Sequence, residues 1–482
     1  MLKKFLKISL TQKPTIVILI ICITPLLSAL AQVNQTISDV VKDSIVARFN
    51  RNDFKGIYML ADTSFTKKIS ESRLVNYLRG NRNSGNIVGI KSQTELRGGI
   101  SYHLELEARD LNLFLQVTPT KKFSSFGISN VAPQLLAVCP PVKNDNPLRS
   151  KMDIAIDSLV REYFRDPNAT GLSIGLIKDG KKIIYNYGET QKGKGQLPNS
   201  HTVYEIGSIT KTFITTILAQ AIIDKKVTLT DDITRFLPDS FPNLSYQGQP
   251  ITLQHLANHT SRLPTLPQNI GEQANFNPLT PEQNYDTILF FKALHEIKLD
   301  TLPGYKFEYS NWGIALLGYI MEKVYNQPLG TLLNKYIFVP LKMQSSGYKL
   351  SPSDKEKMAL VYSENGKQVA FQEGGCLGPA GDIHSSTNDM LHYLEAQLSE
   401  KHPIIKLTHE PTKNGIGLGW GIRTNGIYRE LQHNGSTQGS TANLTAFPEL
   451  NSGCFIVVNN RTNIGRLIVG IQKIIKQPAN NK

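Results

Sequence analysis

Hydrophobic positions follow helical and strand spacing in two separate stretches of the chain. In the first stretch, three segments with apolar residues at helical spacing are followed by three segments with apolar residues at strand spacing. The predicted elements cover residues 37–49, 54–60 and 70–78 as helices and residues 86–96, 100–108 and 111–118 as strands. Helices that are followed by strands predict a small α+β domain over residues 33–130.

The segment over residues 131–150 lacks hydrophobic periodicity. It contains four prolines, together with Asn144, Asp145 and Asn146. Proline removes a backbone donor and fixes φ, so this composition disfavours both helix and sheet. We predict a linker here, between the small domain and a larger one over residues 151–476.

The second stretch has strand patterns at its two ends and helical patterns in its middle. A helix at 152–164 leads into a hairpin with strands at 172–177 and 182–187, and strands at 441–447 and 454–459 precede an amphipathic helix at 464–475. An antiparallel sheet flanked by helices, with an inserted helical part, accounts for this order. The predicted fold class is therefore α+β.

The amino-terminal segment has the pattern of an export signal. Lysines 3, 4, 7 and 13 precede an apolar run over residues 15–27, and Ala29-Leu30-Ala31 then forms a small-residue cleavage site. The alternative is a membrane anchor, but the run is shorter than the roughly 20 apolar residues that a spanning helix needs. We predict a signal peptide over residues 1–31, no stable transmembrane anchor, and a periplasmic or secreted mature chain.

The charge and the spacing of cysteines and histidines limit the kinds of ligand and partner that we expect. The net charge of +14 raises the possibility of nucleic-acid binding, but basic residues are scattered rather than clustered with aromatic ones, and export would remove access to nucleic acid. Cys139, Cys376 and Cys454 have no metal-ligand spacing, and the histidines form no close cluster. We therefore expect a small-molecule or peptide substrate, no nucleic-acid partner, no metal and no cofactor.

A Ser-x-x-Lys tetrapeptide occurs three times, at Ser64, Ser208 and Ser346. Only Ser208 opens a long helical pattern, which places Lys211 on the same face one turn later. The alternative is an ordinary helix cap. A capping box would place Glu or Gln at position 211, whereas a lysine there opposes the helix dipole by about 0.3–1 kcal/mol. This misplaced charge favours Ser208 as a nucleophile and Lys211 as its base, since the positive helix end lowers the lysine pKa.

Tyr309-Ser310-Asn311 is the only Tyr-x-Asn of the chain and precedes a helical pattern at 312–324. In an extended segment, positions 309 and 311 point the same way, which would bring a phenol and an amide beside the serine. The alternative is that Ser310 or Asn311 only caps the following helix.

His433-Asn434-Gly435 is the only His-x-Gly, and Ser436 follows it before the strand pattern at 441–447. On an extended chain His433 and Gly435 share a face, and the glycine allows a substrate to approach the backbone closely. Two Lys-x-Gly segments compete for this role. The one at 178–180 reads as a hairpin turn, and the one at 413–415 reads as part of an approach loop.

The ordered set Ser-Ile-Thr-Lys, Tyr-Ser-Asn and His-Asn-Gly resembles the serine β-lactamase and penicillin-binding-protein-like superfamily. The likeness is strongest to its class C β-lactamase, D,D-peptidase and esterase branch, and it covers about residues 151–476. Residues 259–261 and 419–421 resemble the same family. The domain over residues 33–130 resembles, by pattern alone, the NTF2-like or cystatin-like modules of some exported bacterial proteins.

The resemblance implies a role for each motif residue. Ser208 would attack a carbonyl, and Lys211 and Tyr309 would move its proton, with Tyr309 acting as a phenolate or through the lysine. The backbone N–H groups of Ser208 and Ser436 would form the oxyanion hole. The substrate-binding residues would be Asn311, which holds an amide of the substrate, His433, which lines the leaving-group or carboxylate side, and Gly435.

Departures from the family pattern narrow the predicted activity. Many members have Lys-Thr-Gly where this chain has 433–435, and glycine where it has Arg262, Lys342 or Asp382. An unperturbed histidine is mostly neutral at pH 7 and holds a carboxylate less firmly than a lysine. We predict an exported serine hydrolase acting on a small ester, amide or D-amino-acid peptide. The alternatives are a true β-lactamase or D,D-carboxypeptidase on cell-wall precursors, and a non-catalytic ligand-binding or sensing protein.

Overall fold

The computed structural model describes residues 35–349, 352–412 and 415–477. The predicted signal peptide, residues 1–31, lies outside these ranges, as do Lys413 and Asn414 of the second Lys-x-Gly segment. The chain divides into two compact units with a boundary between Ala132 and Pro133. Within the described ranges, no helix is long and apolar enough to cross a membrane.

The first unit consists of four helices followed by one antiparallel sheet. Its helices are α1 (35–50), α2 (Phe54–Tyr58), α3 (Thr63–Thr66) and α4 (Glu71–Arg82). Its strands are β1 (Ile87–Leu96), β2 (Gly99–Leu106), β3 (Asp110–Val117) and β4 (Phe123–Asn130), in the spatial order β1-β2-β3-β4. The fourth strand was not predicted, because in Phe-Ser-Ser-Phe-Gly-Ile-Ser-Asn the apolar residues do not alternate regularly.

One face of this sheet forms the core of the first unit. Every second residue of β2 and β3 is buried, from Ile100 to Leu106 and from Leu111 to Leu115. These side chains pack with Ile45, Phe49 and Leu78 of the helices in one apolar cluster. Burial of each such side chain is worth about 1.5–3 kcal/mol, so the unit has a hydrophobic core of its own.

The second unit contains eleven further strands and ten further helices among the described residues. Its strands are β5 (Gly171–Lys178), β6 (Lys181–Gly188), β7 (Val203–Glu205), β8 (Ser245–Tyr246), β9 (Gln249–Pro250), β10 (Gly347–Tyr348), β11 (Ile383–Ser386), β12 (Gly421–Asn425), β13 (Tyr428–Ser436), β14 (Thr441–Phe447) and β15 (Ser452–Val458). Its helices are α5 (Lys151–Tyr163), α6 (Thr210–Ile223), α7 (Leu253–Ala257), α8 (Thr287–Glu296), α9 (Asn311–Tyr325), α10 (Leu329–Leu333), α11 (Pro352–Lys355), α12 (Thr387–Ser399), α13 (Pro403–Thr408) and α14 (Gly465–Ile475).

A six-stranded antiparallel sheet joins the two ends of this unit, in the order β12-β13-β14-β15-β5-β6. Strand β15 pairs with β5, so that Phe455 lies opposite Gly175. All seven residues of β15 are buried, because α5 and α14 cover one face of the sheet and α12 lies against the other. In sequence, helices α6 to α13 lie between β6 and β12, which are the two edge strands of this sheet. This arrangement confirms the predicted α+β class, an antiparallel sheet flanked by helices with an inserted helical part.

Helix α6 occupies the centre of the helical part. Eleven of its residues are buried, including the polar Thr212 and Thr215. Helices that are buried on almost all sides belong to a core rather than to a surface. Phe213 of this helix stacks on Tyr393 of α12, with ring centroids 4.0 Å apart. Ser208, which lies in the turn directly before α6, is therefore attached to a rigid, buried element.

Candidate active site

Ser208 lies in a 3₁₀ turn, Gly207–Ile209, between the short strand β7 and helix α6. Gly207 has φ +51°, a left-handed conformation that glycine adopts readily. A Cβ atom at Gly207 would lie 2.7 Å from the backbone nitrogen of Ser436, so strand β13 approaches the turn closely. The turn presents the serine to a pocket, while the residues on either side of it are buried.

Lys211 is fully buried directly beneath the serine. Its Nζ lies 2.9 Å from the Ser208 Oγ and 2.7 Å from the carbonyl oxygen of Ala380, to which it donates. Burial lowers the pKa of Lys211 to about 7, and the carboxylate of Glu282 opposes that shift in part. An amine with this pKa is neutral in about half of the molecules at pH 7, and in that form it accepts a proton from the adjacent hydroxyl.

Tyr309 completes a three-residue cluster. Its hydroxyl forms a hydrogen bond with Ser208, and its ring lies 4.9 Å from the Lys211 Nζ. Burial raises the pKa of Tyr309 to about 12. The phenol is therefore protonated at pH 7. A phenol that is protonated at pH 7 is suited to relaying a proton rather than to acting as a phenolate base.

Asn311 is not among the residues that line the pocket, although it follows Tyr309 by two residues. It is the first residue of α9, and its backbone N–H donates to the carbonyl of Thr265 at 3.0 Å. Its Oδ1 is buried and has no hydrogen-bond partner among the described residues. Ser310 caps the helix by accepting a hydrogen bond from the N–H of Gly313 at 2.8 Å. The segment thus serves both of the roles that were weighed, a cap at Ser310 and a site residue at Tyr309.

His433 and Gly435 lie at the end of β13, beside the serine turn. A Cβ atom at Gly435 would lie 2.0 Å from the carbonyl oxygen of Ile206, so only glycine permits this approach. His433 Nδ1 lies 2.7 Å from the carbonyl oxygen of Asn434. Burial and the nearby Lys211 lower the pKa of His433 to about 4. Its imidazole is therefore neutral at pH 7, as the sequence argument assumed, and the cause is specific to this site.

A pocket of about 570 Å³ opens over these residues. Of the predicted site residues, it is lined by Ser208, Tyr309, His433, Gly435 and Ser436. The other described residues that line it are His259, Phe307, Ile416, Gly419, Trp420, Gly421, Gln432, Asn434, Thr441, Ala442, Thr462, Asn463, Ile464, Gly465 and Ile468. None of these lining residues is an aspartate, glutamate, lysine or arginine, so the described wall carries no permanent charge.

His259 is a site residue that sequence reasoning did not assign. Its ring lies against the Tyr309 ring, with centroids 4.6 Å apart, and its Nδ1 accepts a hydrogen bond from the N–H of Ser310 at 3.1 Å. It therefore helps to fix Tyr309 over Lys211. The segment 259–261 resembled the family, but His259 has φ +58°, and no sequence pattern indicated that its ring would turn toward the pocket.

The competing motifs lie elsewhere and make ordinary structural contacts. Ser64, the second residue of α3, is exposed, and its hydroxyl donates to the side chain of Asp62 at 2.8 Å. Ser346 donates to the carboxylate of Asp389 at 2.8 Å. Asp179 and Gly180 both have positive φ, which fits the predicted hairpin turn. Buried Arg262 forms ion pairs with Asp300 and Glu308, so its guanidinium is already bound.

Comparison with known proteins agrees with the geometry. The family model described as Beta-lactamase matches residues 156–476. The D-alanyl-D-alanine-carboxypeptidase/endopeptidase AmpH of Escherichia coli K12 is 26% identical over 353 residues, which cover 68% of this chain and 89% of that protein. A β-lactamase of Pseudomonas fluorescens is 28% identical over 282 residues, covering 55% of this chain and 73% of its own.

A solved structure shares the fold. The β-lactamase/D-alanine carboxypeptidase from Pseudomonas syringae superposes with a TM-score of 0.60 at 21% identity. The match covers 68% of this chain and 100% of that one. A second structure, described as a class C β-lactamase, gives a TM-score of 0.60 at 22% identity over 69% of this chain and 98% of its own.

Proposed function

Because the chain belongs to the β-lactamase family and is a serine hydrolase of that family, we propose that it hydrolyses small esters, amides or D-amino-acid peptides through an acyl-enzyme on Ser208. The observation that carries the proposal is the buried Lys211 Nζ, 2.9 Å from the Ser208 Oγ. A serine hydroxyl needs a base within hydrogen-bond reach, and a lysine with a pKa near 7 supplies one at neutral pH.

In the proposed mechanism, the Ser208 Oγ gives its proton to Lys211 while it bonds to the substrate carbonyl carbon. The backbone N–H groups of Ser208 and Ser436 stabilise the resulting oxyanion, and one such donor is typically worth about 10²- to 10³-fold in rate. Tyr309 relays the proton to the leaving group as the scissile bond breaks. Water then attacks the acyl carbon and gives a proton to Lys211. The bond between that carbon and the Ser208 Oγ breaks, the carboxylic acid leaves, and Lys211 returns the proton to the Oγ.

The uncharged pocket supports an uncharged substrate. A carboxylate-bearing substrate would find no permanent positive charge among the described lining residues, and His433 is neutral at pH 7. A hydrogen bond to a charged group is worth about 1.5–3 kcal/mol, roughly ten- to a hundredfold in affinity. Esters and amides without a carboxylate therefore fit the site better than β-lactams do.

A second candidate is hydrolysis of D-alanyl peptides from cell-wall precursors. It is favoured by the similarity to a protein described as a D-alanyl-D-alanine-carboxypeptidase/endopeptidase, which spans 68% of this chain. Residues 133–477 would carry either activity. We further propose that the domain over residues 33–130 has a packing or targeting role. The amino-terminal pattern supports action of the enzyme in the periplasm or outside the cell.

Substrate preference tests this proposal. With the mature protein, kcat/KM for p-nitrophenyl butyrate should exceed that for a chromogenic cephalosporin by about a hundredfold, because only the cephalosporin carries a carboxylate. A D-alanyl-D-alanine peptide and its carboxyl methyl ester form a matched pair, and the methyl ester should be cleaved faster. A preference for the cephalosporin, or for the free peptide over its methyl ester, would support the alternatives instead.

The pH dependence of kcat/KM distinguishes the two candidate bases. If neutral Lys211 is the base, the rate falls below its pKa of about 7, by about tenfold per pH unit, and reaches a plateau above pH 8. If a Tyr309 phenolate were the base, the rate would continue to rise through pH 9, since the pKa of Tyr309 is about 12. Ester hydrolysis measured from pH 5 to 9, corrected for the uncatalysed reaction, separates the two profiles.

A further inference from the structure

Glu205 connects strand β7, which leads into the serine turn, to the turn between strands β13 and β14. It is the last residue of β7, three positions before Ser208, and it is 5% exposed. Its Oε2 accepts a hydrogen bond from the hydroxyl of Thr437 at 2.5 Å, and its backbone carbonyl accepts one from the hydroxyl of Ser440 at 2.9 Å. One residue therefore binds both ends of the turn 437–440, which joins β13 to β14.

The direction of the bond to Thr437 follows from the other contacts of that hydroxyl. The Thr437 Oγ1 accepts hydrogen bonds from the N–H groups of Gly439 at 3.2 Å and Ser440 at 3.0 Å. A hydroxyl has two acceptor lone pairs and one hydrogen. Both lone pairs are occupied, so the hydrogen is donated to Glu205. The carboxyl group acts as the acceptor in this bond.

The second oxygen of Glu205 is also an acceptor. Its Oε1 accepts from the backbone N–H of Gln372 at 2.5 Å. Two donors thus converge on one side chain, and a glutamine in its place would turn an NH₂ group toward one of them. Position 205 therefore requires the two acceptor oxygens of a carboxyl group, and a side chain of the same shape is not sufficient.

Gln372 also links Glu205 to the segment that holds Lys211. The Gln372 side chain forms a hydrogen bond with buried Asp382, which also accepts from the N–H of Gly374 at 2.9 Å. Asp382 follows by two residues the carbonyl of Ala380 that binds Lys211. Burial raises the pKa of Glu205 to about 7, and the carboxyl of Asp382 adds to that shift. At pH 8 Glu205 is therefore mostly ionised.

The turn that Glu205 holds lies next to the proposed oxyanion hole. Thr437 directly follows Ser436, whose backbone nitrogen would lie 2.7 Å from a Cβ atom at Gly207. Oxyanion donors act over a narrow range, about 2.7–3.1 Å from the developing charge. A displacement of about 1 Å costs on the order of a hundredfold in rate. A shift of the turn that carries Thr437 would therefore change a distance on which the proposed mechanism depends.

We propose that Glu205 is a positioning residue that, through Thr437, sets the Ser436 N–H toward the oxyanion formed on Ser208. This inference rests on the proposed function, because it assigns a purpose to the oxyanion hole of that mechanism. Glu205 contacts no substrate in this role. Its effect falls on the tetrahedral intermediate and not on the bound substrate.

The test is Glu205→Gln, which keeps the side-chain shape. At pH 8 we expect kcat for p-nitrophenyl butyrate to fall about ten- to a hundredfold, with KM changed by less than about threefold. Affinity for phenylboronic acid, which forms a tetrahedral adduct with a nucleophilic serine, should fall by the same factor as kcat. A residue with only a structural role would not produce this equality.

Thr437→Val and Thr437→Ser form the matched pair. Valine keeps the shape of threonine and loses the hydroxyl, so it should reproduce the Glu205→Gln effect, whereas serine keeps the hydroxyl and should restore most of kcat. The pair also decides the question if Glu205→Gln does not fold, as judged from its melting temperature.

Two results would overturn the proposal. One is a Glu205→Gln enzyme with unchanged kcat and boronate affinity, and the other is an equal loss in the valine and serine variants. Failure of the proposed function looks different, since the wild-type protein would then not hydrolyse the ester, or Ser208→Ala would hydrolyse it equally well.

Discussion

Ser208→Ala should lower kcat/KM for p-nitrophenyl butyrate by about four to six orders of magnitude while leaving the melting temperature within a few degrees of wild type. Removal of a serine nucleophile from a comparable catalytic unit costs about 10⁶-fold in kcat. The side chain is only partly buried at the mouth of the pocket, so loss of one hydroxyl removes little packing. Steady-state ester hydrolysis and thermal denaturation measure the two quantities.

Ser64→Ala is the matched control for that substitution. Ser64 opens another Ser-x-x-Lys tetrapeptide, but it is exposed, and its hydroxyl donates to Asp62, the residue that caps helix α3. This variant should retain wild-type turnover. Mass spectrometry after reaction with the ester should locate the acyl group on the peptide that contains Ser208. Turnover that survives Ser208→Ala, or an adduct on another residue, would refute the assigned nucleophile.

Lys211→Met should lower kcat/KM by at least about 10³-fold without destabilising the fold. Methionine has a similar length and fits an apolar environment, so it fills the same buried space. The loss of the hydrogen bond to Ala380 leaves a carbonyl unpaired, at a cost of about 1–3 kcal/mol. Removal of a buried ionisable group offsets that cost, because burial disfavours the ammonium form.

The stability of Lys211→Met relative to wild type should also depend on pH, in a direction that follows from the pKa of Lys211. The folded-state pKa of Lys211, about 7, is below its value in the unfolded chain, so between pH 7 and about 10 the unfolded state binds more protons. This residue therefore makes wild-type stability rise with pH over that range. The variant lacks that contribution. Its melting temperature relative to wild type should be highest near pH 7 and should decline toward pH 10.

Lys67→Met is the control for the lysine, since Lys67 occupies the equivalent position after Ser64 and is exposed. Its activity and stability should match wild type. A Lys211→Met enzyme with more than about a tenth of wild-type activity would contradict the role of Lys211 as the base. It would direct attention to Tyr309, whose hydroxyl also bonds to Ser208.

Local periodicity was sufficient to predict most elements. The pattern at 172–187 predicted the hairpin of β5 and β6, and the pattern after Ser208 predicted α6, because each depends on neighbours within a few residues. Strand β4 was missed, since its residues form a strand only through pairing with β3. Strand pairing is a tertiary interaction, and a weak local pattern does not reveal it.

The sequence by itself determined the family, the α+β class and the three motif residues Ser208, Lys211 and Tyr309, because residue types at fixed spacing carry that information. The tertiary structure decided how those residues behave. Burial lowers the pKa of Lys211 and raises that of Tyr309, which is why the base in the proposed mechanism is a neutral lysine rather than a phenolate. The approach of distant segments leaves Asn311 out of the pocket wall and brings in His259. The link from Glu205 to Thr437 joins residues 232 positions apart, and such contacts exist only after folding, so no local pattern encodes them.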